Sequence, residues 1–389
     1  MIVYYLLFGG IFFTALVDLI RPFNRDSKRK LFIFWCIVFV LFKGLRWDTG
    51  TDWSQFYTCF VESSWTNIFS YWRYGVGTSK MEFGYVFLNV LVKTIFPHYS
   101  FFLIITNAFI LYCFGRCLLK YMDRWALVGL AILVVSSEMF PVRHTLVTAI
   151  FFMSIPYIRT GALKKFLAMV LVAFSFHHSA ILLVPFYWVL RSEYRYKRNM
   201  LIYLFVILTP NVFYDIFAVL QNTFLNTLLG GGLTRYNAVQ ELFLDEFDKT
   251  ENNFFSYLFP ICQLSFFSYV LSRYRRDCQS DVAESMNFFL NMYFVYLCLN
   301  SVAAHPGFDS LYRIGNMFLS GYAFVVGYSV YFLKQMKFPV ATILVFGMLF
   351  VIKFNALPIN RDTYGIYVPY KSFLQQDDAL RSRAWPFHQ

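Results

Sequence analysis

Apolar runs of roughly 15 to 20 residues recur from one end of this chain to the other, and short clusters of lysine and arginine separate them. A run of that length suffices to cross a bilayer as a helix. Hydrophobic residues make up 58% of the 389 residues and charged residues 14%, so a soluble globule could not cover the apolar surface. The chain is therefore expected to be an all-α polytopic integral membrane protein with about 10–12 transmembrane helices. A transmembrane β-barrel would show short alternating segments instead. The first apolar run has no basic region before it and no small-residue cleavage site after it, and reads as a retained span.

The charge and the cysteines narrow the function classes. The net charge of +12 lies in short loops between apolar runs, where orientation in the membrane explains it before nucleic acid does. The seven cysteines are scattered, mostly inside apolar runs, with no metal spacing and no even count for a disulfide framework. No glycine-rich phosphate loop, dinucleotide fingerprint or nucleophile elbow is present, so no soluble cofactor is expected and any substrate should arrive already activated and membrane-borne.

The basic loops set the expected topology. Arg21–Lys30, Arg116–Arg124, Arg159–Lys165, Arg191–Arg198, Arg273–Asp277 and Lys334–Lys337 are each net positive, which places them in the cytoplasm. Residues 46–80, the turn at Phe140–Arg143, the acidic stretch 221–253, residues 305–313 and the tail then face outward. A single transmembrane domain is expected over 1–355, followed by a short polar external tail over 356–389. Two segments break the alternation. Residues 166–190 lie between two basic loops and are split by His177-His178-Ser179 into halves of about eleven or twelve residues, each too short to span about 30 Å. A re-entrant pair of half-helices meeting at the histidines resolves this, with Ser179 as N-cap of the second half. Residues 82–97, which contain Glu82 and Lys93, pose the same parity problem and read as re-entrant or interfacial. The competing arrangement has twelve ordinary crossings and one basic loop outside.

Under this topology the out-of-place polar residues share one face. Residues 44–57 hold Arg46, Asp48 and Asp52 within seven positions, with Gly44 and Gly50 loosening the backbone and Trp47, Trp53 and Tyr57 between them. Arg143 heads an apolar helix, Arg235-Tyr236 lies in the acidic loop, and Tyr312-Arg313 precedes the span beginning at Ile314. Each arginine alone could snorkel or pair. Arginines from four distant parts of the chain on one face suit a phosphate or pyrophosphate, because a guanidinium offers several donors in a fixed fork. His177 and His178 are the candidates for proton transfer, with Asp52, Asp48 and Glu82 as alternative bases. A helix-break histidine pair, or a salt bridge capping a helix, is the non-functional alternative. A metal is not expected, for want of a third ligand at recognisable spacing.

Gly44-Leu45-Arg46-Trp47, Gly50-Thr51-Asp52-Trp53 with Tyr57, and Glu82-Phe83-Gly84-Tyr85 resemble the opening of the EpsG-type branch of Wzy-like polysaccharide polymerases. Arg143 and Phe176-His177-His178-Ser179-Ala180 continue the pattern in order, followed by Arg235-Tyr236, Tyr312-Arg313 and Pro369-Tyr370-Lys371. Trp47 and Trp53 stand where tyrosine is commoner. The resemblance implies a bacterial inner-membrane glycosyltransferase of GT-C-like architecture, metal-independent and without cofactor. It implies transfer of a growing glycan from undecaprenyl pyrophosphate to the non-reducing end of an incoming lipid-linked oligosaccharide, on the periplasmic or outer face, building O-antigen, capsule or exopolysaccharide. Arg46, Arg143, Arg235, Tyr236, Glu82, Tyr312 and Arg313 would bind the substrate and its pyrophosphate, and His177, His178 or Asp52 would act as base. Implied partners are the lipid-linked oligosaccharides, the bilayer, and a chain-length regulator and flippase of the same pathway, with no nucleic acid. Two other classes remain open on the residues: a lipid-linked-oligosaccharide flippase, which would need no base but should show repeat symmetry, and a membrane O-acyltransferase, which would need a donor site on the cytoplasmic side.

Overall fold

The structure is a computed structural model that describes the chain except residues 51–52, 74–78, 138, 141, 210–211, 214–215, 217–253, 278, 304–308, 363–364 and 376–389. The fold is all-α and polytopic apart from one two-residue hairpin, β1 (Trp72–Arg73) with β2 (Ser79–Lys80). Among the described residues, four helical stretches are long and apolar enough to cross a membrane: Ile2–Ile20, Tyr99–Ser136, Ser280–Ala303 and Arg313–Gln335. The chain divides into two compact units, Met1–Val184 with Leu333–Gln389, and Pro185–Phe332.

The first unit holds α1 (Ile2–Ile20), α2 (Arg25–Gly44), α3 (Trp53–Glu62), α4 (Phe83–Ile95), α5 (Tyr99–Met122), α6 (Ala126–Ser136), α7 (Arg143–Arg159) and α8 (Leu163–Phe176). Its basic loops gather at one end. Lys28 donates to the Arg124 carbonyl at 2.6 Å and pairs with the buried Asp18 at 3.1 Å, and Arg25 pairs with Asp123 at 3.2 Å. Lys334 donates to the Leu19 carbonyl at 2.5 Å, and the ammonium groups of Lys28 and Lys334 lie 5.3 and 4.9 Å from the Trp125 ring. Arg159, which ends α7, lies 4.8 Å from the Tyr121 ring, so the turn at Gly161 joins the same end. The 19 residues of α1 span about 28 Å and lead from there to the opposite end, where Tyr4 lies. All four basic loops of this unit thus share one face, as the positive-inside rule requires of cytoplasmic loops.

The opposite end is built from Tyr4, the loop 45–50, α3, α4, the loop before α7 and residues 365–373. α8 runs back from the Gly161 turn and stops at His177, whose extended backbone (φ −159°, ψ 125°) ends the helix. A 3-10 stretch, His178–Leu183, follows. The helix break expected at the histidine pair is present. Its cap is His177 rather than Ser179: the Ser179 backbone N–H donates to His177 Nδ1 at 3.2 Å. Imidazole Nδ1 stands at the same remove from Cβ as an asparagine Oδ1, so it can serve the orphan N–H groups of a helix start.

The second unit comprises α9 (Phe186–Arg191), α10 (Tyr196–Leu208), α11 (Phe254–Arg276), α12 (Ser280–Ala303), α13 (Asp309–Leu319) and most of α14 (Gly321–Gln335). Its two basic loops are tied together: the Tyr194 N–H donates to Asn287 Oδ1 at 2.7 Å, Asn291 donates to the Ser192 carbonyl at 2.7 Å, and Arg275 lies 3.6 Å from Glu193. Its core is aromatic, with Phe289 stacked on Phe324 at 3.8 Å and Gln263 bridging Tyr322 and Tyr293 by hydrogen bonds of 3.0 and 2.5 Å.

Candidate functional site

The site grows out of the end of α2. After Gly44 the chain leaves the helix, and Asp48 (φ 40°) and Gly50 (φ 104°) turn it back with left-handed backbone that glycine tolerates best. The turn drives Arg46 inward until its side chain is only 2% exposed. There Nη2 donates to the Phe140 carbonyl at 2.7 Å, and the guanidinium carbon lies 4.5 Å from the Phe140 ring centre. Among the described residues Nε and Nη1 of Arg46 make no hydrogen bond, nor do the buried indole N–H groups of Trp47 and Trp53, whose rings meet at 4.7 Å. Burial lowers the pKa of the guanidinium, which nevertheless remains charged. A buried cation with spare donors is costly unless an anion joins it.

Residues 365–373 close over this arginine. The Trp47 N–H donates to the Lys371 carbonyl at 2.9 Å, the Phe373 N–H to the Leu45 carbonyl at 2.8 Å, and the Gly50 N–H to the Ile366 carbonyl at 3.3 Å. Tyr4 donates to the Tyr367 carbonyl at 2.5 Å and Tyr370 to the Phe42 carbonyl at 2.7 Å. Asp362 holds the turn itself, accepting the N–H groups of Ile366, Tyr367 and Val368 at 2.9, 2.7 and 2.7 Å.

Three residues beyond Phe140, Arg143 opens α7 and forms a buried ion pair with Glu82, which stands just before α4. Arg143 also reaches Met81 Sδ at 3.4 Å and lies 5.4 Å from the Phe56 ring and 5.9 Å from the Tyr85 ring. Burial alone would raise the Glu82 carboxyl, but the Arg143 guanidinium above all, with the backbone N–H of Glu82 itself, outweighs that, and the net shift is downward. Glu82 is thus a fixed carboxylate and a poor proton acceptor. Gly84 lets α4 meet the end of α8 at backbone distance, since a Cβ there would fall 2.8 Å from the Ser175 carbonyl oxygen.

His177 faces the same cluster. Its ring centre is 6.2 Å from that of His144, a buried residue of the first turn of α7. A backbone N–H can only donate, so Nδ1 of His177 accepts from Ser179 and the neutral ring carries its proton on Nε2. Ser179 Oγ lies 2.9 Å from the same nitrogen. His178 packs against Phe174 with ring centres 4.9 Å apart.

Of the residues expected from the sequence, the structure brings Arg46, Glu82, Arg143 and His177 to one end of the first unit, with His178 beside them. Arg313 lies in the second unit, part-buried at the start of the apolar run Arg313–Gln335. Asp52, Arg235 and Tyr236 lie outside the described residues, as does the side chain of Tyr312. Among the described residues no group of three His, Cys, Asp or Glu could hold a metal ion. Sequence reasoning assigned no site role to Met81 or His144, and it named the Phe140–Arg143 turn and Pro369-Tyr370-Lys371 without foreseeing that Phe140 and residues 365–373 enclose Arg46. His144 had a signal, its place next to Arg143 in the first turn of an apolar helix.

A family model described as the EpsG family matches residues 29–372, most of the chain. No curated protein and no solved structure matches it.

Proposed function

The chain belongs to the EpsG family, a family of Wzy-like polysaccharide polymerases, and on that premise we propose that it moves a growing glycan from undecaprenyl pyrophosphate to the non-reducing end of an incoming lipid-linked repeat. The observation that carries this is the pairing of Arg143 with Glu82 at the end of the first unit that also holds Arg46 and His177, away from that unit's four basic loops. With those loops in the cytoplasm, this end faces the periplasm or exterior.

In the reaction the acceptor hydroxyl oxygen bonds to the anomeric carbon, the bond from that carbon to the pyrophosphate oxygen breaks, and the hydroxyl proton passes to a base. Negative charge develops on the departing pyrophosphate. The spare donors of Arg46 and the fork of Arg143 suit that charge, and their fixed positions leave little to reorganise as it forms. The geometry of His177 favours Nε2–H as a further donor to the leaving oxygen over the base role. His178 then takes the proton, with Asp52 as the reserve. Arg235 and Arg313 are carried as further pyrophosphate ligands on the sequence alone.

A deletion strain separates this reading from its competitors. Loss of a polymerase leaves single repeats on the surface lipid. Loss of a flippase leaves none, and loss of an acyltransferase leaves full-length chains without acetate. Either of the last two outcomes overturns the proposal.

A further inference from the structure

Helix α4 starts and finishes at the same end of the first unit. Its start is fixed by Glu82 on Arg143, the residue that opens α7 at the far end from Arg159. Its finish is fixed by Lys93, which donates to the Val61 and Ser63 carbonyls at 2.5 and 3.1 Å, and by Thr94, which accepts from the Trp65 indole at 3.2 Å. Five residues after Thr94, Tyr99 opens α5 with its ring 5.5 Å from Trp53. The 13 residues of α4 give a length of about 20 Å, and none of it is used to reach the basic end.

One face of α4 packs inward through Gly84, Tyr85, Val86, Asn89 and Val90. The other presents Phe83, Phe87, Leu91 and Ile95, spaced four apart and 43, 37, 39 and 70% exposed. Phe69, 66% exposed, stacks on Phe83 at 4.9 Å, and Trp65, 52% exposed, lies 6.0 Å from Phe87. A continuous apolar stripe of this kind, with a tryptophan and a lysine at its finish, has the composition of a helix lying in the plane of a membrane interface.

We propose that α4 is an in-plane membrane helix whose Phe83–Ile95 stripe sits in the hydrocarbon of the outer leaflet and holds the Glu82–Arg143 pair at headgroup depth. The outer side rests on the orientation given above; the in-plane placement does not depend on the polymerase reading. The bilayer is favoured as occupant because the same unit carries two stretches long and apolar enough to cross a membrane, α1 and the run that begins with α5, and because the stripe is flanked by an exposed tryptophan, Trp65, and by Lys93.

The test uses the full-length protein in native membranes. Cysteines at two exposed positions, Ser70→Cys beside the start of α4, where the Met81 N–H donates to the Tyr71 carbonyl, and Pro97→Cys beyond its finish, are treated with a membrane-impermeant maleimide in intact spheroplasts, with the unsubstituted protein as background. Both should label from outside. Labelling of only one shows that α4 crosses and overturns the proposal. Nitroxide labels at 83, 87, 91 and 95, in a cysteine-free background shown to accumulate in the membrane at the natural level, then report depth. A perpendicular or re-entrant helix spreads the four over about 18 Å, whereas an in-plane helix keeps them within about half of that. A graded series therefore overturns the proposal even when both flanks label. Neither readout involves polymer, so the polymerase reading fails separately, in the deletion strain.

Discussion

Arg46 donates to the Phe140 carbonyl at 2.7 Å while its guanidinium lies over the Phe140 ring, so the loop after α2 and the loop before α7 are joined through a single buried cation. Phe140 is three residues from Arg143, which holds Glu82. Arg46→Lys keeps the charge but loses the planar fork and the stacking surface. We expect polymer to fall at least tenfold while the protein still accumulates in the membrane, measured by repeats per chain against immunoblot level. Unchanged polymer would show that Arg46 serves only the fold.

The Glu82–Arg143 pair should not titrate across the working range. The carboxyl is held below its ordinary value, so its contribution is fully present above about pH 4.3, the unfolded value, and is lost only as pH falls through the lower folded value. The pH–rate profile between 5 and 9 should therefore carry no limb from Glu82. Removing one partner of such a buried pair costs about 3–5 kcal/mol, because the other charge is left buried alone. Glu82→Gln and Arg143→Gln should each reduce the amount of folded protein, and the double variant should recover part of it. Strictly additive losses would show that the two side chains do not interact.

His177 caps the 3-10 stretch and also faces the site, and one substitution separates these roles. Asparagine is a good N-cap and places Oδ1 where Nδ1 stood, but it cannot supply an imidazole N–H. His177→Asn should accumulate like the natural protein and lose polymer about 100-fold, the range of acid–base assistance. His177→Ala should lose both cap and activity. If His177→Asn polymerises at the natural rate while His178→Ala does not, the proton-handling role belongs to His178 alone.

The fold was legible where physics writes periodically into the sequence, and less so elsewhere. Charge between apolar runs marked the basic loops, and Arg159 and Lys334 confirm that those of the first unit share one end. The helix break at His177 was legible because two polar histidines interrupt an apolar run too short to divide into two spans. The closure over Arg46 was not, because its bonds run largely between backbone groups, such as Trp47 N–H to the Lys371 carbonyl, which place little demand on side-chain identity. The cap at Ser179 was misassigned because histidine is a rare N-cap, and propensity favoured the serine beside it.

Asp362 offers a test of that closure. Its carboxylate accepts three backbone N–H groups and shapes the turn that brings Tyr367 and Tyr370 over the Arg46 loop. Asp362→Ala leaves those donors without their acceptor, at about 1–3 kcal/mol for each buried group. Proteolysis of residues 362–373 in membranes should become at least tenfold faster, and polymer should fall with it. Tyr370→Phe removes only the bond to the Phe42 carbonyl, worth about 1 kcal/mol, and should give a milder change in the same direction.

The turn at Gly161 decides how α8 enters the membrane. Arg159 over Tyr121 ties that turn to the end of α5, whose next residues, Asp123 and Arg124, pair with Arg25 and Lys28 of the first basic loop. If that end is cytoplasmic, a reporter fused after Gly161 should report cytoplasm, as should fusions after Lys28 and Lys197. A fusion within 235–250 should report the periplasm or exterior. The 14 residues of α8 then climb about 21 Å from the cytoplasmic side to His177 and no further. An external report at Gly161 would put that turn and the loops packed against it outside, and would place His177 on the side of the membrane opposite to the one proposed.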